Sequence, residues 1–147
     1  DGWEHRQWFA GAHATVPAPW RGGSVDVYAL YLDRPEAEYH RGRGHERRLS
    51  LGTRWFGAAG PVDYNVEAVL QTGRFGAAPL LAWTVATDTG VALPLPWDPR
   101  LGVRLDVASG DRGPGRPLGT FAALFPRGSY FGEDALLGPA NFFDAHP

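Results

Sequence analysis

Polar and apolar residues alternate along most of this chain with a period of two. From Glu46 to Arg74 the sequence reads ERRLSLGTRWFGAAGPVDYNVEAVLQTGR. Leu49, Leu51, Thr53 and Trp55 share one face of a first strand, and Arg48, Ser50, Gly52 and Arg54 share the other. After a Gly/Pro turn, Tyr64, Val66, Ala68 and Leu70 oppose Asp63, Asn65, Glu67 and Gln71. Side chains that change face at every residue belong to strands, so this stretch predicts a β-hairpin. The same reading predicts six strands at roughly 6–16, 24–33, 46–56, 62–73, 80–88 and 99–109. The clearest, RLGVRLDVASGD, sets Leu101, Val103, Leu105 and Val107 against Gly102, Arg104, Asp106 and Ala108. SVDVYALYLD is apolar on both faces except at Asp26, which leaves its phase open.

The connections differ in character. Those at 17–23, 57–61 and 89–98 are short or proline-rich, whereas 34–45 and 74–79 are polar and rich in arginine and glycine. A long tail follows Gly110. Counting strands puts the first set at one end of the sheet and the second at the other. Short turns at one end and long loops at the other is the habit of outer-membrane barrels.

Period alone does not say which face is wet. In a soluble sheet the apolar face meets a core; in an outer-membrane barrel it meets lipid and the polar face lines a lumen. Three features favour lipid. The apolar faces run without a charge for close to the roughly 9–11 residues that a tilted strand needs to cross the hydrocarbon. The polar faces carry mid-strand charges, Arg54, Glu67, Arg104 and Asp106, among small residues such as Ser50, Gly52 and Gly102. Trp55 and Tyr64 flank the 57–61 turn, where an aromatic girdle sits in such barrels. A soluble β-sandwich with its charges in water fits the same alternation, and the pattern leaves both open.

Composition narrows the classes. The 147 residues suffice for one ordinary domain, and a net charge of −2 gives no global reason to expect nucleic acid. All 14 basic residues are arginine, the side chain that binds carboxylates bidentately. The absence of cysteine excludes disulfides and thiolate metal sites. No apolar run is long enough for a transmembrane helix, and DGWEHRQWFA is not a signal peptide. Twenty glycines and thirteen prolines suit an all-β protein with many turns.

The tail, SGDRGPGRPLGTFAALFPRGSYFGEDALLGPANFFDAHP, has neither period and is too long for an ordinary connection. Its SGD, LGTF, LFPRG, YFGE and GPAN…D.HP, with ERRLSLG, GRFG…AWTVATDTG and VDVYALYLDR upstream, resemble the alginate-export outer-membrane proteins across roughly residues 25 to 147. The resemblance implies an antiparallel transmembrane barrel of about eighteen strands, within the range such barrels occupy. It implies a bacterial outer-membrane channel, not an enzyme, that exports an anionic, alginate-like polysaccharide. Its partners would be that polymer, outer-membrane lipid and periplasmic export machinery. Six strands cannot close such a barrel, so residues 1–147 are expected to be a single internal fragment, with strands over about 6–109 and a long loop over 110–147. The loop's Phe121, Phe125, Tyr130 and Phe131 are expected at the barrel mouth or in the lumen, beside the 34–45 and 74–79 connections.

The candidate chemistry follows from the arginines. A polyuronate carries a carboxylate on each sugar, and a guanidinium matches a carboxylate with two parallel hydrogen bonds. Arg48, Arg54 and Arg104 are candidates for a substrate path along the lumen, with Glu67 and Asp106 as its other charged members. The competing reading is a wall network in which Arg54 and Arg104 pair with Glu67 and Asp106. HRGRGHERR lacks interleaved aromatics and reads as a solvated loop rather than a nucleic-acid site. GDRGPGR lacks the lysine and helix of a P-loop, and GSYFG is not a nucleophile elbow. The histidines show no metal-site spacing, no cofactor is expected, and nothing beyond the presence of two carboxylates supports a Glu67/Asp106 glycosidase pair. The remaining function classes are a general porin-type channel for small solutes and a soluble β-sandwich that binds carbohydrate.

Overall fold

The computed structural model describes residues 7–18 and 22–123, and the backbone of 143–146. Every regular element among them is a strand. They are β1 (Trp8–Ala18), β2 (Gly23–Tyr39), β3 (Gly42–Ala59), β4 (Val62–Phe75), β5 (Ala78–Ala92), β6 (Arg100–Ala108) and β7 (Phe143–His146). Each pairs antiparallel with the next in chain order, giving one seven-stranded meander. Among the described residues β1 and β7 have one neighbour each, so the sheet is a barrel segment that is not closed on itself.

Register assigns the faces. Leu51 lies opposite both Ala29 and Leu70, and Leu70 lies opposite Trp83. Val27, Thr53, Ala68, Val85 and Val107 form the next row. The open phase of β2 is thereby fixed: Val25, Val27, Ala29 and Tyr31 stand on the apolar face, and Asp26 and Tyr28 on the polar one.

Burial is inverted relative to a soluble sheet, in which apolar side chains are the ones withdrawn from water. Leu51, Leu70 and Trp83 are 46, 46 and 44% exposed, while Ser50 and Gln71 on the other face are 1% exposed. Along β5, Leu80, Ala82 and Thr84 are buried and Leu81, Trp83 and Val85 exposed. Among the described residues no second sheet covers the apolar face, which a sandwich would require. Polar groups tolerate burial when they are hydrogen-bonded. Here no buried side-chain nitrogen or oxygen among the described residues lacks a partner.

Two expectations are corrected. The segment 34–45 is not a loop: β2 and β3 run on to Tyr39 and Gly42, past a bulge between Arg34 and Ala37, and only residues 40–41 turn. Likewise β4 and β5 run to Phe75 and Ala78, with Gly76 at φ 56° making the two-residue turn. Polar, glycine-rich sequence here marks an extended hairpin ribbon rather than a long connection, so hairpin length does not separate the two ends. The tail carries one short strand, Phe143–His146, which returns to pair with β6. Phe125, Tyr130 and Phe131 lie outside the described residues, whereas Phe121 is half-buried.

Candidate functional site

The polar face carries three groups of charged side chains, and strand register sets the central one. Asp26, Arg54, Glu67, Ala86 and Asp106 are successive cross-strand neighbours on β2 to β6. Asn65, Asp88 and Arg104 form the adjacent row. Together Arg54, Asn65, Glu67, Asp88, Arg104 and Asp106 line an open cleft of about 350 Å³. Arg104 Nε donates to Asp106 Oδ2 at 3.1 Å, pairing a one-third-exposed guanidinium with a carboxylate that is 4% exposed. Arg54 sits directly opposite Glu67 yet does not pair with it. Its Nε donates to Asn65 Oδ1 at 2.8 Å, and its guanidinium lies 4.6 Å from the Phe56 ring centroid. Glu67 accepts instead from the Tyr28 hydroxyl. The Tyr28 ring reaches it by lying over Gly52, where a Cβ would come within 2.0 Å of the ring.

At the end of the sheet nearest the Gly60–Pro61 turn, Arg100 donates to both Asp63 oxygens, at 2.8 and 2.6 Å, and to Asp88 at 2.8 Å. The guanidinium crosses Gly102 and Gly90, and a Cβ at Gly90 would meet it at 2.4 Å. Sequence reasoning missed Arg100. The available signal was the pair of glycines at polar-face positions on adjacent strands, which leaves a slot for a long side chain lying flat.

At the opposite end Arg48 and Glu46 are fully buried, their side chains 2.6 Å apart. Arg34 donates twice to Glu46, at 3.1 and 2.7 Å, and Tyr39 donates to it at 2.7 Å. The Arg48 guanidinium also donates to Gln71 Oε1, to the Tyr39 hydroxyl at 2.9 Å and to the Thr120 carbonyl at 3.2 Å. Gln71 clamps Ala122 in both directions: its Nε2 donates to the Ala122 carbonyl at 2.8 Å, and its Oε1 accepts from the Ala122 N–H at 3.1 Å. Leu118 bridges the edge of β5 at Leu80 and packs with Ala37 and Phe75 in a small apolar cluster. Residues 118–122 thus form a strap across the polar face. Its preceding loop is tied down by Arg41, which pairs with the Asp111 carboxylate and donates to the Gly113 carbonyl at 2.5 Å. The hydrogen bond from Arg41 holds the Asp111 carboxyl below its ordinary range.

Of the residues expected on a substrate path, Arg54, Arg104, Glu67 and Asp106 meet in the central cleft. Arg48 stands apart. Its guanidinium has no exposed surface, because the strap covers it and its hydrogen-bonding capacity is spent on Glu46, Gln71, Tyr39 and Thr120. Among the described residues no group of histidine and acidic side chains is placed to hold a metal ion.

A family model described as "Alginate export" matches residues 1–147. No curated protein and no solved structure matches the chain. With the family model covering its whole length and an open antiparallel sheet as its architecture, the chain belongs to the alginate export family, a family of outer-membrane transport channels rather than of enzymes.

Proposed function

We propose that this sheet is part of the wall of an outer-membrane barrel that conducts an anionic, alginate-like polyuronate, with its apolar face in lipid and its polar face in the lumen. The inverted burial supports this orientation. The exposed Leu51, Leu70, Trp83 and Val85 of the apolar face forfeit roughly 1.5–3 kcal/mol for each large side chain left in water, a penalty that hydrocarbon removes. Arg54 is the principal contact for the polymer's carboxylates. Among the described residues it has no carboxylate partner, since Tyr28 engages Glu67 and a neutral amide engages Arg54. Arg104 assists from the same cleft, and Asp106 positions it. One moderately held carboxylate at a time suits transport, because a polymer must leave as readily as it enters. Arg48 serves the wall by holding the strap.

The test is single-channel recording of the full-length protein with oligouronate as blocker. Arg54→Gln should weaken block about tenfold, the loss of one charge-assisted contact, and move reversal-potential selectivity toward cations. Unchanged block and unchanged selectivity in a normally folded variant would overturn the assignment and leave a general porin-type channel.

A further inference from the structure

Two arginines on the apolar face remain unexplained by transport. Arg47 and Arg74 are directly opposite each other on β3 and β4, both exposed. Like charges opposite one another in a sheet repel, so such a pair is destabilising unless an anion joins it. Their surroundings are otherwise paired. Arg43 takes Glu38 at 3.1 Å and His45 takes Asp33 at 2.7 Å, although Asp33 is the cross-strand neighbour of Arg47. Arg74 Nη2 donates to the Ala77 carbonyl at 3.2 Å. Among the described residues neither Arg47 nor Arg74 pairs with a carboxylate.

Their position along the strands is equally specific. The next apolar-face row holds Tyr31, Leu49, Thr72 and Leu81, and from there β3 continues without a charge through Leu51, Thr53, Trp55, Gly57 and Ala59. The arginines therefore stand at the first charged row beyond the belt. Trp8 shares that row and contacts Tyr31 edge-on, with ring centroids 5.5 Å apart. Aromatic side chains at the limit of an apolar belt mark the depth of lipid headgroups. Two guanidiniums on adjacent strands, whose backbones are about 4.8 Å apart, are spaced to grip one phosphate between them.

We infer that Arg47 and Arg74 form a binding site for the phosphate monoester of a membrane lipid, of the kind lipid A carries. The site rests on the outer-membrane orientation proposed above. It is separate from the polymer path, because the two arginines and the cleft lie on opposite faces.

The experiment is native mass spectrometry of the full-length protein, released from detergent in the presence of diphosphoryl lipid A or its dephosphorylated form. Wild type should retain the phosphorylated lipid and lose the dephosphorylated one. R47Q/R74Q should lower retention about tenfold or more, as expected when charge-assisted contacts are removed, and R47K/R74K should restore part of it. Inorganic phosphate alone should not be retained. Equal retention of both lipids by wild type, or undiminished retention by a folded R47Q/R74Q, would overturn the site. The wild-type comparison decides the matter even if the double variant does not fold. Heat-modifiable gel migration, measured separately, reports on the barrel orientation, so the two ideas fail independently.

Discussion

Arg48 and Arg54 occupy the same face of the same strand and live in opposite circumstances. Arg48 is fully buried, hydrogen-bonded to Glu46, Gln71, Tyr39 and the strap carbonyl of Thr120. Arg54 stands in an open cleft, held by one amide and one ring face. The difference comes from what crosses the sheet above each. Over Arg48 runs the 118–122 strap, which excludes water and completes the hydrogen bonds; over Arg54 nothing described intervenes. An arginine withdrawn from water with every guanidinium nitrogen hydrogen-bonded is placed to act as structure. One whose charge has no carboxylate partner is able to meet a passing anion.

The largest effect that would break this comparison is at Arg48. Arg48→Met takes from the buried Glu46 carboxylate one of its two guanidinium partners, leaving Arg34, and removes the donor to Gln71 and to the Thr120 carbonyl. It should cost about 3–5 kcal/mol, whereas Arg54→Gln, in the exposed cleft, should cost under about 1 kcal/mol. Denaturant unfolding in micelles measures both, and equal losses would erase the distinction. A smaller effect is expected at the clamp. Gln71→Ala removes both bonds to Ala122, the bond to Ser50 and an acceptor of Arg48, which should cost about 1–3 kcal/mol and raise amide exchange across 118–123 more than in β4 itself.

The smallest effect concerns the loop that leads into the strap. The Asp111 carboxyl is held below its ordinary range by Arg41, so its contribution is complete above the unfolded pKa of about 3.9 and is lost as pH falls through the lower folded value. Pepsin cleavage within 109–118 should therefore rise as the pH is taken down from 4, while cleavage of the strand hairpins stays constant. Asp111→Asn should raise amide exchange across this loop already at neutral pH.

Much of this molecule was legible because period-two alternation is a local signal. Leu49 to Trp55 and Tyr64 to Leu70 fall on the faces the pattern assigned, and register only aligned them. The choice between lipid and core was not in the period, since Leu51 and Ser50 alternate identically in either setting. Burial carries the orientation proposed here, and burial is a property of the whole sheet. The fate of Arg48 was hidden for a related reason: nothing near it in sequence announces a strap from residues 118–122. The Gly52 and Gly102 positions were visible, but as small residues of a lumen rather than as beds for Tyr28 and Arg100. The segment 34–45 misled because its arginines and glycines belong to a hairpin ribbon, where Arg34 pairs with Glu46 and Arg41 with Asp111.

The central claim is that the apolar face meets lipid and the cleft opens to water, and this chain, with no cysteine, allows it to be tested by single-cysteine substitution. Val85 and Ala86 are adjacent on β5, one on each face, with Ala86 lining the cleft. In the reconstituted full-length protein, Ala86→Cys should react with a charged, membrane-impermeant thiosulfonate, and faster with an anionic one than with a cationic one if Arg54 governs the cleft. Val85→Cys should be inert to both, and a fluorophore placed there should be quenched by lipid-borne nitroxides. Fast aqueous labelling at Val85→Cys with protection at Ala86→Cys would contradict the account.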